Sequence, residues 1–230
     1  MTKKKILKTK GLCKSFKQGG NIICVLDNAG FELAENEVIA LIGPSGCGKT
    51  TFLHMIGLLD LPDSGDISIN EKDFMKASDK ERTLCRRNDI GFVYQSHNLL
   101  DDFTVLENIT LPLRLHGISS KDRSTRARAL LKKLNLTDRE FHYPAHLSGG
   151  EQQRVAIARS LIHDPKIILA DEPTGNLDWG NAEKVLELLF AAVRDFEKSL
   201  VIVTHNEQIA KRADRVMTIK NGKLVSHKMR

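Results

Sequence analysis

Gly43-Pro44-Ser45-Gly46-Cys47-Gly48-Lys49-Thr50 lies between the apolar run Val38-Ile39-Ala40-Leu41-Ile42 and the segment Thr51-Phe52-Leu53-His54-Met55-Ile56. The apolar run reads as a buried strand and the later segment as the first turns of a helix. Strand, glycine loop and helix in that order are what a phosphate cradle needs. The glycines let successive backbone N–H groups turn inward onto one anion, and the helix N-terminus adds partial positive charge. Lys49 is placed to reach the outer phosphates, and Thr50 to offer its hydroxyl to a Mg²⁺ ion bridging them. Gly43, Pro44, Ser45, Gly46, Cys47, Gly48, Lys49, Thr50 and Thr51 are therefore candidate nucleotide-binding residues.

The 230 residues fit one domain that can bury a full core. With 41% hydrophobic and 28% charged residues the composition is that of an ordinary globular protein. No run approaches the roughly 18 apolar residues of a membrane span. Met1-Thr2-Lys3-Lys4-Lys5 is basic with no apolar stretch behind it, so no secretion signal is expected. Cys13, Cys24, Cys47 and Cys85 are scattered and predict free thiols in a reducing compartment. The net charge of +6 comes from basic residues at both ends, Lys220, Lys223, Lys228 and Arg230 among them, and in the middle, from Arg123 to Lys133. No aromatic residues alternate with these to form a stacking platform. The expectation is a solvated basic surface facing an anionic membrane, with no specific nucleic acid.

Ile6–Lys10, Ile22–Leu26 and Phe31–Leu33 alternate as three short antiparallel strands before the nucleotide strand. Phe16 lies among them and reads, on spacing alone, as a core aromatic. Asp66–Asn70 and Ile90–Tyr94 are further strands. From about 96 to 163 the pattern turns helical, with Thr104 and Ser148 as candidate caps and Ala127, Leu130, Leu131 and Leu134 on one face. Ile167–Asp171 and Leu200–Val203 are apolar strands separated by a helix, and Asn221-Gly222 marks a closing hairpin. Strands alternating with helices predict an α/β protein with a parallel sheet.

Ligands of open parallel sheets bind at the C-terminal ends of the strands. Four strands here run out into Gly43, Gln95, Asp171-Glu172 and His205. Asp171 suits the water shell of a Mg²⁺ ion, and Glu172 suits orientation or deprotonation of an attacking water. Gln95 can contact the metal or that water, and His205 can reach the γ-phosphate. Ser148-Gly149-Gly150 at a helix start is a second anion grip, which points to a site completed by another subunit.

Together these motifs resemble the ATP-binding cassette of ABC transporters over nearly the whole chain. Leu147-Ser148-Gly149-Gly150-Glu151-Gln152-Gln153-Arg154 is similar to the family signature at every position. The phosphate loop, Gln95, Ile168-Leu169-Ala170-Asp171-Glu172-Pro173, Gly175-Asn176-Leu177-Asp178 and His205 match the remaining motifs in order. The resemblance implies a RecA-like P-loop NTPase fold in a single nucleotide-binding domain, 1–230. It has a parallel-sheet core, an N-terminal antiparallel β-subdomain and an α-helical insert at about 96–163. It implies ATP and Mg²⁺ as cofactors and an ATPase with Glu172, His205 and Gln95 as catalytic groups. Thr50, Gln95 and Asp171 would serve the metal, and Phe16 would stack on adenine. Two copies would close head to tail, with ATP between the phosphate loop of one and Ser148, Gly149 and Gly150 of the other, and Asp178 at the interface. Phe16 where tyrosine is commoner, and Asn206 where aspartate is commoner, are small departures.

Within the family, Gln95–Ile109, with Pro112-Leu113, Gly175-Asn176-Leu177-Asp178 and Ile209–Arg212, looks most like the cassettes of lipoprotein-releasing systems, with macrolide exporters and cell-division cassettes close by. That implies integral membrane subunits (LolC/LolE-like) docking on residues 96–116, and peripheral attachment to the cytoplasmic face of the inner membrane. An amino-acid importer cassette shares every catalytic motif and differs in the partner-facing segment. A soluble ABC ATPase acting on DNA or ribosomes would need a coiled-coil insert or a second cassette in the chain.

Overall fold

Gly19 and Gly20, both with positive φ, turn the chain between two fourteen-residue strands, β1 (Lys5–Gln18) and β2 (Asn21–Ala34). The computed structural model describes residues 3–228, so Arg230, Met1 and Thr2 lie outside the described residues. Where the sequence pattern predicts three short strands, Ile22–Leu26 and Phe31–Leu33 belong to one strand. Register shifts between Thr9 and Leu12, and between Leu12 and Lys14, let β1 and β2 stay paired across the polar break at Asn28. Gly11 and Asn28 take the left-handed conformations that such bulges use.

After β2 come β3 (Val38–Ile42), α1 (Lys49–Ile56), β4 (Ser64–Ile69), β5 (Lys72–Asp73) and α2 (Asp79–Asp89). All five residues of β3 are buried, as a continuous apolar run in a parallel sheet should be. Helix α2 gives no periodic apolar signal because Cys85 is its one buried residue. Then follow β6 (Ile90–Tyr94), α3 (Val105–Leu115), α4 (Ser120–Lys133), α5 (Gly149–Leu161), β7 (Ile167–Asp171) and α6 (Trp179–Asp195). The chain closes with β8 (Ser199–Val203), α7 (Glu207–Ala210), β9 (Arg215–Lys220) and β10 (Lys223–Ser226).

These elements form two compact units, one of residues 3–86 with 199–228 and the other of residues 87–198. In the first, β2-β1-β4-β5 is an antiparallel sheet. Beside it β9, β3 and β8 run parallel, and β10 returns antiparallel on β9. Asn221 and Gly222, at φ 49° and 75°, make the tight turn expected of Asn-Gly. Phe31 of β2 meets Phe52 of α1 edge-on, with ring centroids 5.2 Å apart, which seats the first helix on the core.

In the second unit β6 and β7 pair in parallel. Residues 96–163 carry α3, α4 and α5, with short 3-10 turns at Thr137–Arg139 and Pro144–His146. Thr104 and Ser148 both close capping boxes. Each side-chain oxygen accepts from the backbone N–H three residues on, and Glu107 or Glu151 reaches back to the cap's own N–H. Ala127, Leu130, Leu131 and Leu134 are all buried.

Candidate nucleotide site

The candidate residues divide between the two units. In the first, the chain leaves β3 into a loop whose glycines Gly43, Gly46 and Gly48 all have positive φ. Gly48, at φ 101°, has a second constraint: a Cβ there would stand 2.5 Å from Val25 Cγ1. Gly48 is also the N-cap of α1, and no side chain caps that helix. Its first N–H groups are left for an anion. Lys49 is only 8% exposed, and its ammonium donates to the carbonyls of Gly43 and Pro44 at 2.9 Å each. The cation is thereby held over the mouth of the loop. Cys47 N donates to Pro44 O at 3.4 Å, and its thiol is partly exposed.

Phe16, Val25, Gly46, Gly48, Lys49, Thr50 and Thr51 line one recess of about 210 Å³. Phe16 is 43% exposed, which overturns its reading as a core aromatic. It sits near the end of β1 with Lys14 Nζ 5.4 Å from its ring centroid. An exposed ring sharing a recess with a phosphate loop is placed to stack on a flat heterocycle. Val25 gives no such signal in the sequence, where it is one more apolar strand residue. His205 follows β8, which is paired in parallel with β3 in the register Leu41–Val203, so it leaves the same edge as the loop. Thr204 N donates to Leu41 O at 3.1 Å and fixes that exit. Asn206 then caps α7, accepting from Gln208 N at 2.8 Å. Thr218 of β9 is a residue that motif reading misses. Its hydroxyl would lie 3.3 Å from a Cβ on Gly43, and only the register of β9 on β3 brings it there.

In the second unit, the register pairs Tyr94 with Asp171, so Gln95 and Glu172 leave neighbouring strands at one level. One carboxylate oxygen of Asp171, Oδ1, is buried without a hydrogen-bond partner. A buried anionic oxygen without a protein donor is costly unless another ligand satisfies it, and the water shell of a Mg²⁺ ion suits that need. Glu172 has φ 45°, a left-handed conformation unusual for glutamate and of the kind that collects at functional sites. Gln95 Nε2 donates to Asn176 Oδ1 at 2.9 Å, and Asn176 Nδ2 donates back to Gln95 O at 3.4 Å. Burial, and then the Asp171 carboxylate, push the Tyr94 phenol up.

Ser148, Gly149 and Gly150 open α5. The Ser148 hydroxyl donates to Glu151 Oε2 at 2.8 Å while accepting from Glu151 N. Burial alone would raise the Glu151 carboxyl. The Arg139 guanidinium at 2.8 Å and the Ser148 donors outweigh it and hold the group at about 2. Asp178 caps α6, accepting from Asn181 Nδ2 at 2.6 Å and from Asn181 N at 3.1 Å. Those bonds keep its exposed carboxyl below the usual range. Trp179, next in the chain, is 64% exposed.

The family model described as "ABC transporter" matches residues 26–175. The chain belongs to the ABC transporter family. It is 46% identical over 219 residues to the "Lipoprotein-releasing system ATP-binding protein LolD" of Gluconobacter oxydans (strain 621H), covering 95% of each chain. It is equally identical to the LolD protein of Legionella pneumophila (strain Paris), covering 95% of this chain and 96% of that one. A solved dimeric post-hydrolysis state of the ATP-binding cassette MJ0796, bound to ADP and Pi, is 40% identical with a TM-score of 0.88. The match covers 97% of this chain and 99% of that one. The mixed α/β fold of this family member, with its N-terminal antiparallel sheet and parallel core strands, is the fold of those cassettes. No helix among its described residues is long and apolar enough to cross a membrane.

Proposed function

We propose that this chain is the ATP-hydrolysing subunit of an ABC transporter that drives release of lipoproteins from the inner membrane. In this reading it works as a head-to-tail homodimer on LolC/LolE-like integral subunits, at the cytoplasmic face. The observation that carries the ATPase reading is the recess that joins Phe16 to the uncapped, glycine-lined start of α1 and the buried Lys49. Support for the lipoprotein-release reading is the 46% identity, over 95% of the chain, to proteins named LolD.

In this reading Phe16 stacks on adenine. Lys49 exchanges its two loop carbonyls for the outer phosphates, and the loop N–H groups take the remaining oxygens. Magnesium, when bound with ATP, neutralises charge that builds on the phosphate oxygens. Thr50, Gln95 and Asp171 are the residues that would hold it. Glu172 positions and deprotonates the attacking water, and His205 donates to the γ-phosphate. Ser148, Gly149 and Gly150 present the start of α5 to the nucleotide of a second copy, with Asp178 nearby at that interface.

Glu172→Gln should keep ATP binding and lose hydrolysis, so ATP should double its mass in light scattering and shift the emission of Trp179. Unchanged mass with ATP, together with no Mg-dependent hydrolysis by the wild type, would overturn the ATPase reading. Tagged Glu172→Gln protein, recovered from ATP-treated solubilised membranes, tests the partner. A membrane subunit with few spans and a large extracytoplasmic domain is expected. A many-span permease would point to an importer, and recovery of soluble partners alone would sink the transporter assignment.

A further inference from the structure

The ten residues between β6 and α3 contain Gln95 and no helix or strand. A segment of that kind holds its shape only if something outside it satisfies its backbone groups. Here the partners are side chains of two helices. Arg159 of α5 donates from Nη1 to Asn98 O and from Nη2 to His97 O, both at 2.7 Å. Asn98 takes φ 47°, the local reversal that turns two successive carbonyls toward one guanidinium. Gln153 of the same helix is 2% exposed and donates to Tyr94 O at 2.9 Å. Helix α5 thus grips the chain immediately before Gln95 and again two and three residues after it. From α3, the fully buried Asn108 accepts from Leu100 N at 2.9 Å and donates to Leu100 O, Phe103 O and Thr104 O.

We infer that Arg159 is a positioning residue for ATP hydrolysis, tying the segment that carries Gln95 to the helix that begins at Ser148-Gly149-Gly150. The inference rests on the ATPase reading and deepens it. Gln95 reaches from this segment to Asn176, and its side chain can be aimed only as well as its backbone is held. Arg159 is suited to the task because its guanidinium holds two Nη donors in a fixed planar fork, one on each carbonyl, whereas the donors of an ammonium sit on one freely rotating nitrogen. The same grip makes 97–98 and α5 one mechanical piece. A push on this segment from a docked subunit would therefore reach both Gln95 and the Ser148 end of α5.

The test compares wild type, Arg159→Gln and Arg159→Lys as full-length chains. The readouts are kcat, affinity for a fluorescent ATP analogue, melting temperature and hydrogen exchange across 96–104. Arg159→Gln should bind the analogue within about twofold of wild type, because the phosphate loop is untouched, while kcat falls about tenfold or more. Arg159→Lys, which keeps the charge but loses the rigid two-nitrogen fork, should fall between. Deuterium uptake should quicken across 96–104 in both variants and stay unchanged over 38–56. A kcat within twofold of wild type in folded Arg159→Gln would overturn the inference. So would an Arg159→Gln chain that fails to fold beside an Arg159→Lys chain with full kcat, since that would make the residue purely structural. If wild type itself does not hydrolyse ATP, the functional reading fails. The exchange data then stand alone: quickening confined to 96–104 upholds the positioning claim, and unchanged exchange overturns it.

Discussion

Gly91→Ala is a sharp test of how α5 sits on the strand that leads to Gln95. Gly91 is in β6, paired with Ile168 of β7. A Cβ there would lie 2.3 Å from Ser160 O, 3.1 Å from Ser160 C and 2.8 Å from Ile168 Cδ1. The first two atoms are backbone of α5, so no rotamer change relieves them, and the helix must move by about 1 Å to restore ordinary contact. Overpacking of this kind costs about 1–3 kcal/mol. In a chain of this size each kcal/mol lowers the melting temperature by about 2–4 °C. The expected loss is about 2–12 °C in nucleotide-free protein, read by scanning calorimetry. Gly30→Ala is the control, since its nearest neighbour would be Thr9 O at 3.9 Å, and it should move the midpoint by less than about 2 °C. A Gly91→Ala chain that melts with wild type would refute the close packing of α5 on β6, and with it the grip assigned to Gln153 and Arg159.

Alkylation of Cys47 should block nucleotide binding, and ATP should protect the thiol, because an adduct would fill the phosphate loop. Turnover that survives complete labelling of the Cys47 peptide would contradict this. Stability should also depend on pH in two windows. Burial holds the His163 imidazole below its ordinary 6.5, with Nε2 facing Ile90 O at 3.1 Å. The unfolded chain therefore binds that proton more readily, so stability is full above about pH 6.5 and falls as pH drops below it. Glu151 has the opposite charge sense, with a carboxyl lowered from 4.5 to about 2. Its contribution is present above 4.5 and is lost as pH falls toward 2. Urea midpoints from pH 7.5 to 3 should show both limbs. The first should be shallower in His163→Gln and the second in Glu151→Gln, and unaltered slopes would count against these assignments.

Much of the fold and of the candidate site is carried by short-range chemistry and could be read from the chain alone. Val38–Ile42 and Ile167–Asp171 are continuous apolar runs, and only a strand buried on both faces accommodates them. The glycines before Lys49, the boxes at Thr104 and Ser148, and the Asn221-Gly222 turn each act within a few residues, so their side chains and spacing declare them. The acids behind Ile167–Ala170 were likewise legible as a strand end. Phe16 was harder. An aromatic in an alternating strand looks like core until the register of β1 on β2 leaves it 43% exposed beside the phosphate loop. The single long β2 was hidden because a bulge absorbs the polar break at Asn28, and α2 was hidden because its buried face is one cysteine wide.

What only the tertiary structure decided is which distant groups close on the motifs. Arg159 and Gln153 meet their carbonyls across about sixty residues of chain, and Thr218 reaches Gly43 only through strand order. No local pattern marks such partners, because a backbone carbonyl looks the same at every position. The sequence by itself determined the strands, the caps and the phosphate loop, since their causes lie within one or two turns of chain. The structure decided the exposure of Phe16, the lone buried oxygen of Asp171 and the grip on either side of Gln95, since these depend on packing between elements far apart in sequence.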